Sequence, residues 1–100
     1  MMSTPVAAMR SFVRAFEKKR WDVLLRFVPD AEKGGDLTAE KLEEVWDRRE
    51  RDLMTEKIDA LRNDLERGEV RPSEGRALFV YSRGTVVLAL EHGIWKIEDF

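Results

Sequence analysis

The segment RALFVYSRGTVVLALEHGIWKIEDF, residues 76–100, holds three stretches of alternating apolar residues separated by Arg83-Gly84 and His92-Gly93. Each dipeptide suits a two-residue hairpin loop, because glycine adopts the positive φ that such turns require. Strands are therefore expected at 76–82, 85–91 and 94–100. With two-residue turns, Tyr81 faces Val86, Phe79 faces Leu88, Leu90 faces Trp95 and Leu88 also faces Ile97. All of these side chains then share one face of a meander, whereas a slip by one residue at either turn would send them to opposite faces. The second face carries Leu78, Val80, Val87, Ala89 and Ile94 beside Lys96 and Glu98, and is more apolar than a solvated face needs to be. A short strand at 69–71, ahead of Pro72, is expected to widen the sheet.

Upstream of residue 68 the period is helical. Ser3 or Thr4 can cap a helix with Pro5 at its first position, where the missing N–H costs nothing. Val6, Met9, Val13 and Phe16 recur at helical spacing, with Phe12 at the edge of the stripe. WDVLLRFVP, residues 21–29, reads as a second short helix with Asp22 as N-cap and Pro29 as stop. PDAEKGGD, residues 29–36, lacks periodicity and reads as a loop.

A third helix opens at Thr38, with Leu37 and Leu42 placed as a hydrophobic staple, and runs to Arg67 with Gly68 as C-cap. Straight, it would be roughly 45 Å long, against a radius of gyration of about 13 Å for a compact domain of this size. Its apolar positions Leu42, Val45 and Trp46 are separated from Leu53, Met54, Ile58, Leu61 and Leu65 by the wholly charged run DRRERD. Either the helix breaks in that run or part of it projects. The absence of Pro and Gly there, and pairs such as Glu44 with Arg48, favour a continuous or gently bent helix. The expected fold is a single α+β domain over residues 1–100: two short helices and one long one, packed on a curved antiparallel sheet of three to four strands.

Composition narrows the function classes. A chain of 100 residues can form one small core without metals or disulfides. It has no cysteine, which excludes thiolate chemistry and makes a reducing cytoplasm the default compartment. A net charge of −2 drawn from 38% charged residues of both signs creates no field that would attract nucleic acid. Residues 1–12, interrupted by Arg10, form neither a signal-peptide core nor a membrane span. The expectation is a soluble chain with no nucleic-acid or membrane partner.

Few residues carry chemistry. His92 is the only histidine and falls in an expected turn, so no metal site forms around it and none is expected elsewhere. Tyr81, the only tyrosine, falls on the inner sheet face as a core residue whose hydroxyl reaches an acceptor at the rim. In an enzyme it would be the first hydrogen-bond donor to consider. The acidic residues concentrate in the third helix among Arg and Lys, as on a solvated face. Asp22 stands apart, as a cap or as a base. Glycine-rich phosphate loops and the serine-elbow motif are absent, and no cofactor is expected. Arg14, Lys18, Lys19, Arg20 and Arg26 make a basic cluster suited to pairing with the acidic helix or to docking an acidic protein, with Trp21 and Trp46 as candidate anchors.

Two short helices, a third helix and a meander ending in G-x-W-K-I resemble the nuclear-transport-factor-2-like (SnoaL-like) superfamily. AFEKKRWDVLLRFVP, residues 15–29, looks like its first helix junction, and HGIWKIEDF, residues 92–100, like its terminal strand. The chain is short for that family, which implies a reduced member or a domain of a longer protein. The resemblance implies a cone whose sheet wraps the helices around an apolar pocket, frequently dimeric through the outer sheet face. Some members are isomerases, dehydratases, cyclases or epoxide hydrolases, while others only bind small molecules or proteins. Catalytic members place an Asp, His or Tyr in the pocket, and no such motif aligns with this chain.

The resulting expectation is a non-catalytic module that binds a small apolar ligand or a protein. Its ligand pocket would be lined by Phe12, Phe16, Trp21, Phe79, Tyr81, Leu88 and Trp95, and it would form a homodimer through Leu78, Val80, Val87, Ala89 and Ile94. The alternatives are a small acid/base enzyme using Tyr81 and Asp22 on an apolar substrate, and a helical arm at 38–67 that recruits a partner.

Overall fold

A computed structural model describes residues 4–33 and 36–100. Ser3, the alternative first cap, and the paired glycines Gly34-Gly35 lie outside the described residues. The chain runs α1 (Pro5–Glu17), α2 (Trp21–Leu25), α3 (Asp30–Lys33), α4 (Ala39–Glu43), a π-helical segment (Glu44–Arg49), α5 (Arg51–Asp64), then β1 (Val70–Ser73), β2 (Arg76–Tyr81), β3 (Gly84–Glu91) and β4 (Ile94–Asp99). The strands form one antiparallel sheet in sequential order. Helices first and a four-stranded meander second make the α+β fold expected from the change of period.

Both expected N-caps with threonine are present. Thr4 accepts a hydrogen bond from the Ala7 N–H at 3.1 Å, with Pro5 at the first helical position. Thr38 accepts from the Lys41 N–H at 3.2 Å. Asp22 is not a cap: α2 begins after Arg20, and Asp22 lies inside the helix in an exposed pair with that arginine. Residues 29–36 are not wholly loop either, since Asp30–Lys33 forms a helical turn.

The segment 38–67 resolves the length conflict by breaking. Glu44–Arg49 bonds in a π pattern, closed by the Glu50 N–H donating to the Val45 carbonyl at 2.8 Å. Glu50 then leaves helical geometry, at φ −114° and ψ 25°, and α5 starts afresh. Both halves pack on the core through Leu42, Met54, Ile58, Leu61 and Leu65, so neither projects as an arm. The Cα radius of gyration, 12.8 Å, is that of a compact domain. Of the basic cluster, Lys19 pairs with Asp47 of this segment at 3.1 Å, as expected, whereas a second pair has its charges reversed, Arg62 of α5 with Glu17 of α1.

In the sheet the faces are as expected and one register is not. Across the first hairpin Phe79 pairs with Val86, Ala77 with Leu88, and Tyr81 with Gly84. The loop is therefore Ser82-Arg83, two residues away from the register that an Arg83-Gly84 turn would impose. An Arg83-Gly84 turn of the primed kind needs positive φ at arginine; here the positive φ, 145°, falls on Gly84 alone, as the first residue of β3. A slip of two keeps every side chain on its face, so Ala77, Phe79, Tyr81, Val86 and Leu88 are all buried against the helices. The second hairpin has the expected register, Leu90 with Trp95 and Leu88 with Ile97, over a His92-Gly93 turn with φ of 52° and 79°. Beyond Leu88 the pairing shifts by one, Val87 meeting Asp99, which leaves Glu98 as a bulge.

Each sheet edge is blunted. β1 includes Pro72, which cannot donate to a further strand. Along β4 the Ile97 N–H donates instead to the carbonyl of Phe27, two residues past α2, at 2.8 Å. Lys96, although it shares a face with Ala89, is buried; its Nζ lies 3.2 Å from Asp30 of α3 and 3.9 Å from Glu91. Asp30 in turn donates its N–H to the Glu91 carboxylate at 3.2 Å. This triad fastens α3 to the second hairpin.

Gly68 has a different role from the αL cap read in the sequence. α5 ends at Asp64, the Gly68 N–H donates to the Asp64 carbonyl at 3.1 Å, and its φ lies outside the left-handed region. A Cβ on Gly68 would come within 2.4 Å of the fully buried Phe79 ring. Glycine at this position is a matter of space. Gly68→Ala is therefore expected to lower stability by about 1–3 kcal/mol through overpacking, where alanine at an unstrained site would raise it. A urea midpoint that moved upward would show that the ring yields without cost.

Candidate functional site

Phe12, wholly buried in α1, sits where four elements meet. Its ring makes edge-to-face contacts with Phe27 after α2 (5.6 Å between centroids), Trp46 of the π segment (5.8 Å) and Phe100 after β4 (5.3 Å). Trp46 and Phe100 also touch each other edge-to-face at 5.9 Å. Rings in this geometry place positive edges on negative faces and attract beyond their buried area. A gap lies beside them.

That gap is a cavity of about 290 Å³. Its walls are Phe12, Phe27, Trp46 and Phe100, with Val28, Leu37, Leu42, Met54 and Ile97 completing the apolar part. Leu37 and Leu42, the staple of α4, both face it. The polar groups are Glu32 of α3, Glu50 at the helix break, Glu98 and Asp99 of β4, and Lys57 of α5. Glu98 receives the Arg76 guanidinium at 2.6 Å, and the Lys57 ammonium lies 5.4 Å from the centre of the Phe100 ring.

The seven residues expected to line a pocket belong to one hydrophobic cluster, with Phe16 and Trp95 packed at its margin. Only Phe12 faces the cavity. Phe79 and Leu88 are completely enclosed, and Trp21 is buried with Phe16 edge-on at 5.7 Å. Towards the second hairpin the inner face outruns the helices, leaving Leu90 50% exposed beside a half-buried Trp95. The alternation of a strand tells which way a side chain points, and carries no information on whether the space in front of it is filled.

Tyr81 is buried and donates its hydroxyl to the Phe100 carbonyl at 3.2 Å. Burial is the main cause that pushes its pKa above the usual phenol value, with Asp99 adding to the shift and Arg83 opposing it. Asp22 is fully exposed, and its hydrogen bond from Arg20 holds its carboxyl below the usual range. Neither group lines the cavity, so the acid and base of the enzyme alternative do not meet there. His92 is exposed in its turn, with Nε2 3.7 Å from Asp30. No cluster of metal-ligating side chains occurs among the described residues.

Sequence reading gives no role to Glu50, Lys57, Glu98 or Asp99: Glu50 and Lys57 belong to the helix that reads as a solvated face, and Glu98 to the outer face of the sheet. Phe100 has a sequence signal, an aromatic residue that ends the expected strand 94–100. Of the outer-face residues, Val80 is 63% exposed and Leu78, Val87, Ala89 and Ile94 are half-buried. No helix among the described residues is long and apolar enough to cross a membrane.

Because Tyr81 is the only tyrosine, phenolate absorbance reports it alone. Its folded pKa is raised, so its contribution to stability is complete below the unfolded value of about 10 and is lost as pH rises through the folded value. The absorbance midpoint of the folded chain is expected above that of the unfolded chain, and Tyr81→Phe should flatten the alkaline fall in stability. Coincident midpoints would contradict the buried, donating hydroxyl.

Compared with known proteins, the chain matches no family model, no curated protein and no solved structure.

Proposed function

We propose that the chain is a non-catalytic binding module, a reduced relative of the nuclear-transport-factor-2-like proteins, that holds a small apolar ligand beside Phe12, Trp46 and Phe100. The supporting observation is the cavity itself: about 290 Å³, walled mostly by aromatic and aliphatic side chains with a few charged groups at its margin. That composition is typical of ligand sites, and its size lies just below the lower end of their range of ~300–1,000 Å³. The order of helices and meander supports the family reading.

Octanol is a suitable first probe. A saturable change in the Trp46 indole N–H resonance is expected on titration, and Met54→Trp, which brings a large ring to the wall, should weaken binding by about tenfold or more. An indole resonance that never moves up to the solubility limit would overturn ligand binding at this site.

A second reading, self-association through the outer sheet face, is favoured by the exposure of Val80 between its half-buried neighbours Leu78 and Val87. A second copy offers the same apolar face in return, as a two-fold interface requires. Sedimentation equilibrium should show a dimer that Val80→Glu converts to a folded monomer. A wild-type chain of monomer mass at high concentration would remove this reading.

A further inference from the structure

We propose that the cavity prefers ligands carrying an organic cation on their apolar body, such as a short alkylammonium; this rests on the ligand-binding reading above and adds the charge of the ligand to it. Three observations bear on it. The first is the wall. Phe12, Trp46 and Phe100 stand mutually perpendicular, and the negative face of such a ring attracts a cation placed within about 6 Å of its centroid.

Second, a cation is already there. The Lys57 ammonium lies 5.4 Å from the centre of the Phe100 ring. The chain's own side chain thus marks a position where positive charge is favourable, and it would compete with a ligand for that ring.

Third, the margin is electronegative. Glu32, Glu50, Glu98 and Asp99 contribute four carboxylates against the single ammonium of Lys57. Arg76 neutralises Glu98 in part, which still leaves the acidic groups in excess. An anionic ligand would bring its charge against them. A neutral one would leave the field unused.

The proposal is tested by calorimetric titration of the full chain with octyltrimethylammonium, octanol and octanoate, which share a chain length and differ in head-group charge, with the Trp46 indole resonance locating each. The cation should bind about tenfold more tightly than octanol, on the scale of one desolvated cation–ring contact, with octanoate weakest. Lys57→Gln should tighten the cation further by removing its competitor. Glu50→Gln should loosen the cation by a larger factor than it loosens octanol; if that variant melts early, Asp99→Asn, at another exposed position, removes a charge from the same margin. Equal affinities for the three probes, or tightest binding of octanoate, would overturn the preference for cations while leaving the apolar site standing. No response of Trp46 to any probe would overturn both.

Discussion

The contact on which the rest of the molecule depends is the one Phe12 makes with Phe27, Trp46 and Phe100. One ring in the middle of α1 fixes the end of α2, the irregular segment after α4 and the residue that follows β4. No two of these are adjacent in sequence, and no hydrogen-bonded ladder joins them all. Their relative positions follow from ring packing, with the Ile97 to Phe27 backbone bond and the Lys96, Asp30 and Glu91 triad holding the second hairpin to α2 and α3. Truncating such a ring removes its packing on every side at once, which is why large aromatics at junctions are among the costliest core residues to lose.

The break in the segment 38–67 has its cause in spacing. Leu42, Trp46, Glu50, Met54 and Ile58 follow one another at intervals of four, and each step of four overshoots a full α-helical turn by about 40°. Over that stretch a straight helix would carry Ile58 to nearly the opposite side from Leu42, yet both are buried. A π pattern widens one turn and absorbs part of the drift, and the departure of Glu50 from helical angles absorbs more. The regular interval was present in the sequence. It was hidden because Glu50 occupies an apolar position of the stripe within a run that looked wholly solvated, and because i,i+4 ion pairs argued for continuity.

Much of the fold was legible because its strongest rules are binary. A strand residue points to one face or the other, so Phe79 and Leu88 could be placed inside even though their pairing was misjudged by two residues. Threonine caps are read the same way, since a hydroxyl before a first turn has few better uses. Gly68 shows where such reading fails: two reasons for a glycine, backbone freedom and lack of a side chain, give the same letter, and only the nearness of the Phe79 ring distinguishes them. Lys96 was equally opaque, as its burial depends on carboxylates more than sixty positions upstream and five positions before it in the chain.

The candidate site was less legible, because it is made where regular structure stops. Ile97, Glu98, Asp99 and Phe100 are consecutive, and in an unbroken pleat only alternate members could face the same space. All four border the cavity. The bulge at Glu98, where the partner of Val87 becomes Asp99, interrupts the alternation and turns the strand end towards Trp46 and Glu50. The same irregularity therefore delivers both an aromatic wall and its carboxylates. On the opposite side the π segment and the break do likewise with Trp46 and Glu50. A periodic reading of β4 sends Glu98 and Phe100 to the outer face, and one of the helix leaves Glu50 in a solvated run, which is how these residues escape notice. Two local departures from regular geometry, both packed against Phe12, put apolar surface and acidic groups together in one small space.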